Sequence, residues 1–202
     1  GIGLEIRATV GSAMIKQNSI EKTGAGGIVM TGPATGGAAS AQHLSIANNQ
    51  LLGLVPLISN PMVGLLQYAL GIRIQNVAAA EIEGNVVRDL GMDATGQAPR
   101  VGIGVGACKS VRISGNQLIN IGPLDVTYGP SAGVAVIAPP FDRVEVSNNV
   151  IRRTDQVGRV SNDATFWRAV YIGPIGQFTD SFKMKFVQLT EGKFLLSLGT
   201  AI

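Results

Sequence analysis

Histidine and cysteine occur once each in 202 residues, at His43 and Cys108. A single cysteine excludes an intrachain disulfide, and its expected state is that of a small buried hydrophobe. A single histidine excludes a His-based metal site of the usual kind. His43 lies in a stretch rich in Gly, Ala and Ser and reads as an exposed turn residue. Charged residues make up only 14% of the chain and aromatics 5%. The net charge of +3 comes from scattered Arg and Lys with no basic stripe, which argues against nucleic acid as a partner. No uninterrupted apolar run approaches the ~18 residues of a membrane span. The most apolar stretch, 51–72, is broken by Pro56, Asn60, Pro61, Gly64 and Gln67, and reads as a long loop or short helix lying on the fold. The phrase Gly102-Ile-Gly-Val-Gly106 has the glycines of a phosphate loop but no Lys-Ser/Thr in the right place and no helix pattern behind it. Nothing in the chain implies a cofactor or a resident metal.

What is abundant is glycine, 27 residues, together with an apolar fraction of 46%, too high for disorder. Abundant Gly, Val and Ile with little charge suits strands buried on one face and joined by tight turns. Five asparagines then recur in one short phrase: aliphatic, two residues, Asn, one residue, aliphatic. They are Asn18, Asn49, Asn85, Asn116 and Asn149, separated by 31, 36, 31 and 33 residues. A period of that size signals stacked copies of one supersecondary unit.

Aligning the phrases produces columns. Ala13, Leu44, Ala80, Val111 and Val144 form one; Ile15, Ile46, Ile82, Ile113 and Val146 the next; Ile20, Leu51, Val87, Leu118 and Ile151 follow the Asn. Alternation up to the Asn predicts a strand with one buried face, and the Asn itself is expected to mark a bend before a second short strand. Another set of phrases precedes each motif, running from Leu4–Ile6 through Gly27–Met30, Gly71–Ile74, Gly102–Val105 and Gly133–Val136 to Ala169–Ile172. The expected coil is therefore strand, turn, strand, bend, strand, loop, with a sixth coil beginning near Ala169. Parallel strands stacked ~4.8 Å apart give a solenoid of roughly 24 Å. Buried in it, the asparagines bond backbone and one another, and loss of one should cost on the order of 1–3 kcal/mol.

The phrases Val111-Arg-Ile-Ser-Gly-Asn116-Gln-Leu118 and Val144-Glu-Val-Ser-Asn-Asn149-Val-Ile151 resemble the parallel β-helix repeat of the pectate-lyase-like superfamily. The resemblance spans residues 1–172 and implies an all-β, right-handed parallel β-helix. It is unspecific for activity, since that superfamily includes polysaccharide lyases, glycoside hydrolases, phage tailspikes and surface adhesins. The catalytic signatures of the polygalacturonase-like and pectate-lyase groups are missing here. The function expected is a non-catalytic structural or interaction module of a larger extracellular, cell-surface or virion-associated protein, with glycan as a partner through one loop edge. The alternative is a polysaccharide-active lyase or hydrolase.

Candidate chemistry falls in two places. The outward column Met14, Ser45, Glu81, Arg112, Glu145 offers Glu81, Glu83 and Glu145 as carboxylates for acid–base work, or as members of a surface charge ladder. Four insertions at the same phase, about 55–70, 92–100, 123–131 and 154–168, should share one edge of the solenoid. They carry Asp93, Gln97, Arg100, Asp125, Tyr128, Asp155, Arg159, Asn162, Asp163 and Trp167. Of these, Arg100, Asp125, Tyr128, Asp155, Arg159 and Trp167 are the ligand-binding candidates, because ring faces stack on sugar faces while polar groups bond hydroxyls. Seven of the ten aromatics lie at or after Phe166. Residues 173–202, with a hairpin pattern over Phe182–Leu198, read as a cap or a homo-oligomer interface. Ile2 to Val10 already reads as a coil, so end-to-end stacking or a longer solenoid is also expected.

Overall fold

Each sequence repeat closes into one coil of three strands. The computed structural model describes residues 2–7, 9–24, 26–31, 41–54, 69–92, 100–122, 131–138, 141–153 and 167–173. Among them there is no helix, and all strand pairing is parallel. The first sheet stacks β1 (Ile2–Ile6), β4 (Gly26–Thr31), β7 (Ala69–Gln75), β10 (Arg100–Gly106), β13 (Ser131–Ala138) and β16 (Trp167–Ile172). The second stacks β2 (Val10–Lys16), β5 (Ala41–Ala47), β8 (Val77–Glu83), β11 (Ser110–Ser114) and β14 (Arg143–Ser147). The third stacks β3 (Ser19–Glu21), β6 (Gln50–Leu52), β9 (Val86–Leu90), β12 (Gln117–Ile121) and β15 (Val150–Arg152). Successive coils visit the three sheets in the same order, which makes a parallel β-helix; its hand is right, the sense that parallel crossovers take. The sixth coil expected near Ala169 begins with β16.

The aliphatic columns stand in register. Ala13, Leu44, Ala80, Val111 and Val144 pair in sequence, as do Ile15, Ile46, Ile82, Ile113 and Val146. Ile20, Leu51, Val87, Leu118 and Ile151 do the same across the third sheet. From the first sheet, Ile28, Met30, Ile72, Ile74, Ile103, Val105, Val134 and Val136 complete one continuous core. Like residue over like residue fills the interior with little need for rings.

The expected bend is present but falls one residue earlier than the asparagine. Gln17, Asn48, Gly84, Gly115 and Asn148 have φ of 60°, 56°, 65°, 65° and 55°. This left-handed residue turns the chain, and the Asn after it points its amide inside. Glycine and asparagine suit the turning position because they tolerate that conformation; Gln17 holds it at a cost.

The asparagines form a polar ladder with a direction. Asn18 Nδ2 donates to Asn49 Oδ1 (2.8 Å), Asn49 Nδ2 to Asn85 Oδ1 (2.9 Å), Asn85 Nδ2 to Asn116 Oδ1 (3.0 Å) and Asn116 Nδ2 to Asn149 Oδ1 (2.9 Å). The backbone N–H of each of the first four donates to the same acceptor. The amides of Asn49, Asn85, Asn116 and Asn149 also donate back to the carbonyls of Ile15, Ile46, Ile82 and Ile113 in the preceding coil. Asn49, Asn85 and Asn116 are fully buried, so these bonds have no water to compete with them.

A second column is glycine. Gly3, Gly27, Gly71, Gly102 and Gly133 stack in the first sheet, each turned toward the third-sheet side chain of its own coil. A Cβ at Gly71 would come within 2.6 Å of both the Gly102 carbonyl and a Val87 methyl, and one at Gly102 within 2.7 Å of the Gly133 carbonyl. At the sixth coil the position is Ala169, where the described residues supply no following strand to collide with.

Candidate functional site

The register brings the expected charged column together on the outer face of the second sheet. Met14, Ser45, Glu81, Arg112 and Glu145 are aligned on adjacent strands. Beside it runs a second outward column: Ser12, His43, Ala79, Ser110 and Arg143. Lys16, Ala47, Glu83, Ser114 and Ser147 form the third, so Glu83 is exposed on the same face as Glu81 but farther along the strand. His43 is exposed as expected, but on strand β5 rather than in a turn. The Gly/Ala/Ser-rich composition that suggested a turn belongs to residues before Ala41.

The electrostatics of this face are asymmetric. Glu145 Oε1 lies 3.4 Å from Arg112 Nε, and Glu145 Oε2 accepts from Arg143 Nη2 at 3.0 Å. Ser147 Oγ adds a 3.3 Å contact to Oε1. The Glu145 side chain is only 22% exposed, so both of its oxygens are committed to protein partners. Glu81 is one coil from Arg112 and makes no ion pair among the described residues. Glu81 and Glu145 stand two coils apart, about 10 Å at the backbone, with the Arg112 strand between them. The small side chains of Ala79 and Ser110 leave a depression between His43 and Arg143, walled by Glu81, Arg112 and Glu145, with a volume of about 390 Å³.

The loop-edge candidates divide. Asp93, Gln97, Asp125, Tyr128, Asp155, Arg159, Asn162 and Asp163 lie outside the described residues, as does the hairpin pattern 182–198. Arg100 and Trp167 are described and begin strands rather than ending loops: Arg100 opens β10 and Trp167 opens β16, each aligned with Ser131 of β13. Arg100 is fully buried, and burial pushes its guanidinium down to about 10. Trp167 is half-buried.

The outward side of the first sheet holds a feature the repeat pattern gave little sign of. Leu70, Val101, Ala132, Ala135 and Tyr171 form a second buried apolar cluster, apart from the solenoid interior. Arg73 and Arg168 are buried on this sheet as well, Arg168 with its guanidinium 5.3 Å from the centre of the Tyr171 ring. Burial lowers the Arg168 pKa and raises that of Tyr171, and each partly offsets the other's shift. The only sequence signal was that both faces of β10 and β13 are apolar or small.

Cys108 is fully buried, its Sγ 3.4 Å from the Gly106 carbonyl. Burial raises its thiol pKa to about 11, against a smaller lowering by a hydrogen bond from the Val77 backbone. Among the described residues no group of His, Cys, Asp and Glu could hold a metal ion, and no helix is long and apolar enough to cross a membrane. No protein-family model, curated protein or solved structure matches the chain. The class that the geometry defines is the parallel β-helix.

Proposed function

We propose that the chain is a non-catalytic β-helix module of an extracellular, cell-surface or virion-associated protein, acting as a rigid spacer that contacts glycan. The observation that carries this reading is the state of Glu145. A glycosidase-type pair needs one carboxyl free to move a proton and a second placed across the scissile bond. Here both Glu145 oxygens are held by Arg112, Arg143 and Ser147, and Arg112 occupies the interval between Glu145 and Glu81. Such a row behaves as a surface charge ladder that helps to keep the coils in register.

The extracellular setting and the pectate-lyase-like kinship rest on the likeness of the Asn116 and Asn149 phrases to that superfamily's repeat. The Asn ladder and aliphatic stacks supply the stiffness a spacer needs, since the coils of Asn49, Asn85 and Asn116 are each bonded to both neighbours through buried amides. A glycan array paired with a depolymerisation screen on neutral and acidic polysaccharides tests the proposal. Retention of one or more glycans without cleavage is expected. Release of shorter products from any polymer would overturn the non-catalytic reading and return Glu81, Glu83 and Glu145 to consideration as acids.

A further inference from the structure

Resting on the reading of the chain as a glycan-contacting module, we propose that the depression on the outer face of the second sheet, not the loop edge, is a binding site for a neutral, extended saccharide. Its floor is made by the small side chains of Ala79 and Ser110, between the larger His43 and Arg143. From His43 to Arg143 is three coil intervals, about 14 Å. A volume of about 390 Å³ is within the range of small-ligand sites. One wall steps, one coil apart, from Glu81, a carboxylate with no ion pair among the described residues, to the half-exposed Arg112, whose Nε faces the committed Glu145 and whose Nη groups are the donors.

Hydroxyl groups both donate and accept, so a polyol is the chemistry that a wall offering an acceptor beside donors matches. An extended β-linked sugar chain advances by about one coil interval per ring, which lets successive rings meet successive wall residues. Two carboxylates and two guanidiniums leave no strong net field to attract an ion. Glu81, exposed and without an ion-pair partner among the described residues, repels an anionic sugar at this end. A peptide is disfavoured because the floor offers no apolar pocket for an anchoring side chain. Nucleic acid is disfavoured because the wall carries as much negative as positive charge.

The test is a titration of the full chain, labelled for NMR, with cellohexaose and separately with oligogalacturonate. Cellohexaose is expected to shift the backbone resonances of Ala79, Ser110 and Arg112. Ser110→Leu fills the floor from the solvent side and should weaken binding by roughly tenfold or more. Ala79→Gln serves as a second filling variant, and circular dichroism confirms that both stay folded. Unchanged affinity in both variants overturns the proposal, as does tighter binding of oligogalacturonate or no binding of cellohexaose. Loss of binding on Tyr128→Ala but not on Ser110→Leu moves the site to the loop edge, which refutes the groove and leaves the glycan-contacting module intact.

Discussion

Replacing one internal rung of the asparagine ladder should cost far more than replacing its first, although the residue type and the sequence phrase are the same. Asn85→Ala removes donations from Nδ2 to the Ile46 carbonyl (2.9 Å), the Glu83 carbonyl (3.1 Å) and Asn116 Oδ1 (3.0 Å). It also removes the acceptor for the Asn49 backbone N–H (3.0 Å) and for Asn49 Nδ2 (2.9 Å). Several of these groups keep another partner. Asn116 Oδ1 still accepts from the Asn85 backbone N–H, and Asn49 Nδ2 still reaches Ile15 and Ala47. The Asn49 N–H does not, and it belongs to a fully buried residue. An orphaned buried donor costs about 1–3 kcal/mol, and the weakened Ile46 carbonyl adds to it, so the total expected is about 2–4 kcal/mol. Asn18→Ala removes only a bond to the Lys16 carbonyl and one to Asn49 Oδ1, which retains the Asn18 backbone N–H. No N–H is stranded there and the site is half-exposed, so the cost should stay below about 1 kcal/mol. Urea unfolding followed by circular dichroism gives the two free energies. Hydrogen exchange at the Asn49 amide isolates the mechanism, because a stacked array can unfold in parts. Equal destabilisation by the two substitutions, or an Asn49 amide as protected in Asn85→Ala as in the native chain, would refute the argument.

Other outcomes follow from the same geometry. Gly71→Ala forces a methyl against the Gly102 carbonyl and Val87, and should destabilise by about 3 kcal/mol or prevent folding; recovery of soluble protein with an unchanged unfolding midpoint would contradict this. Ala107 holds φ of 50° without needing its methyl there, so Ala107→Gly should be neutral to stabilising by up to about 1 kcal/mol in the same urea assay. The Cys108 thiol pKa is raised in the fold to about 11, so its contribution to stability is fully present below the unfolded value of 9.0 and is lost as pH rises toward 11. Thermal unfolding at intervals from pH 8 to about 11 should therefore show a decline that Cys108→Ala reduces, and a thiol reagent should label the native protein only as it unfolds. Arg112→Ala should change stability by less than about 1 kcal/mol, as befits a half-exposed ion pair.

The repeat itself was legible in the chain because a solenoid places equivalent residues in equivalent surroundings. Spacing of the asparagines fixed the coil, the aliphatic alternation fixed which faces turn inward, and both survive in the pairing of Ile15, Ile46, Ile82, Ile113 and Val146. The outward column Glu81, Arg112, Glu145 could be read for the same reason. Glycines recurring at the start of the first-sheet phrases were equally visible, but not their cause. That cause is a contact with side chains about 15 to 25 residues farther along, which no local pattern reports. The left-handed residue before each Asn left a partial trace, since Asn48, Gly84, Gly115 and Asn148 are of the two types that tolerate it, but Gln17 breaks the pattern.

Tertiary structure alone decided which charges are committed. Sequence makes Glu81 and Glu145 look alike, each in the same column. Stacking puts Arg112 on Glu145, which Arg143 also reaches from two residues earlier on the same strand, while Glu81 is left facing the depression over Ala79 and Ser110. It also buried Arg100, Arg73 and Arg168 on a sheet whose outer face the repeat pattern would have left to solvent. A periodic sequence determines its own coil, because each turn is judged by contacts with copies of itself. What lies on the outside of the coil is set by neighbours from different turns, and only the assembled stack brings them within bonding distance.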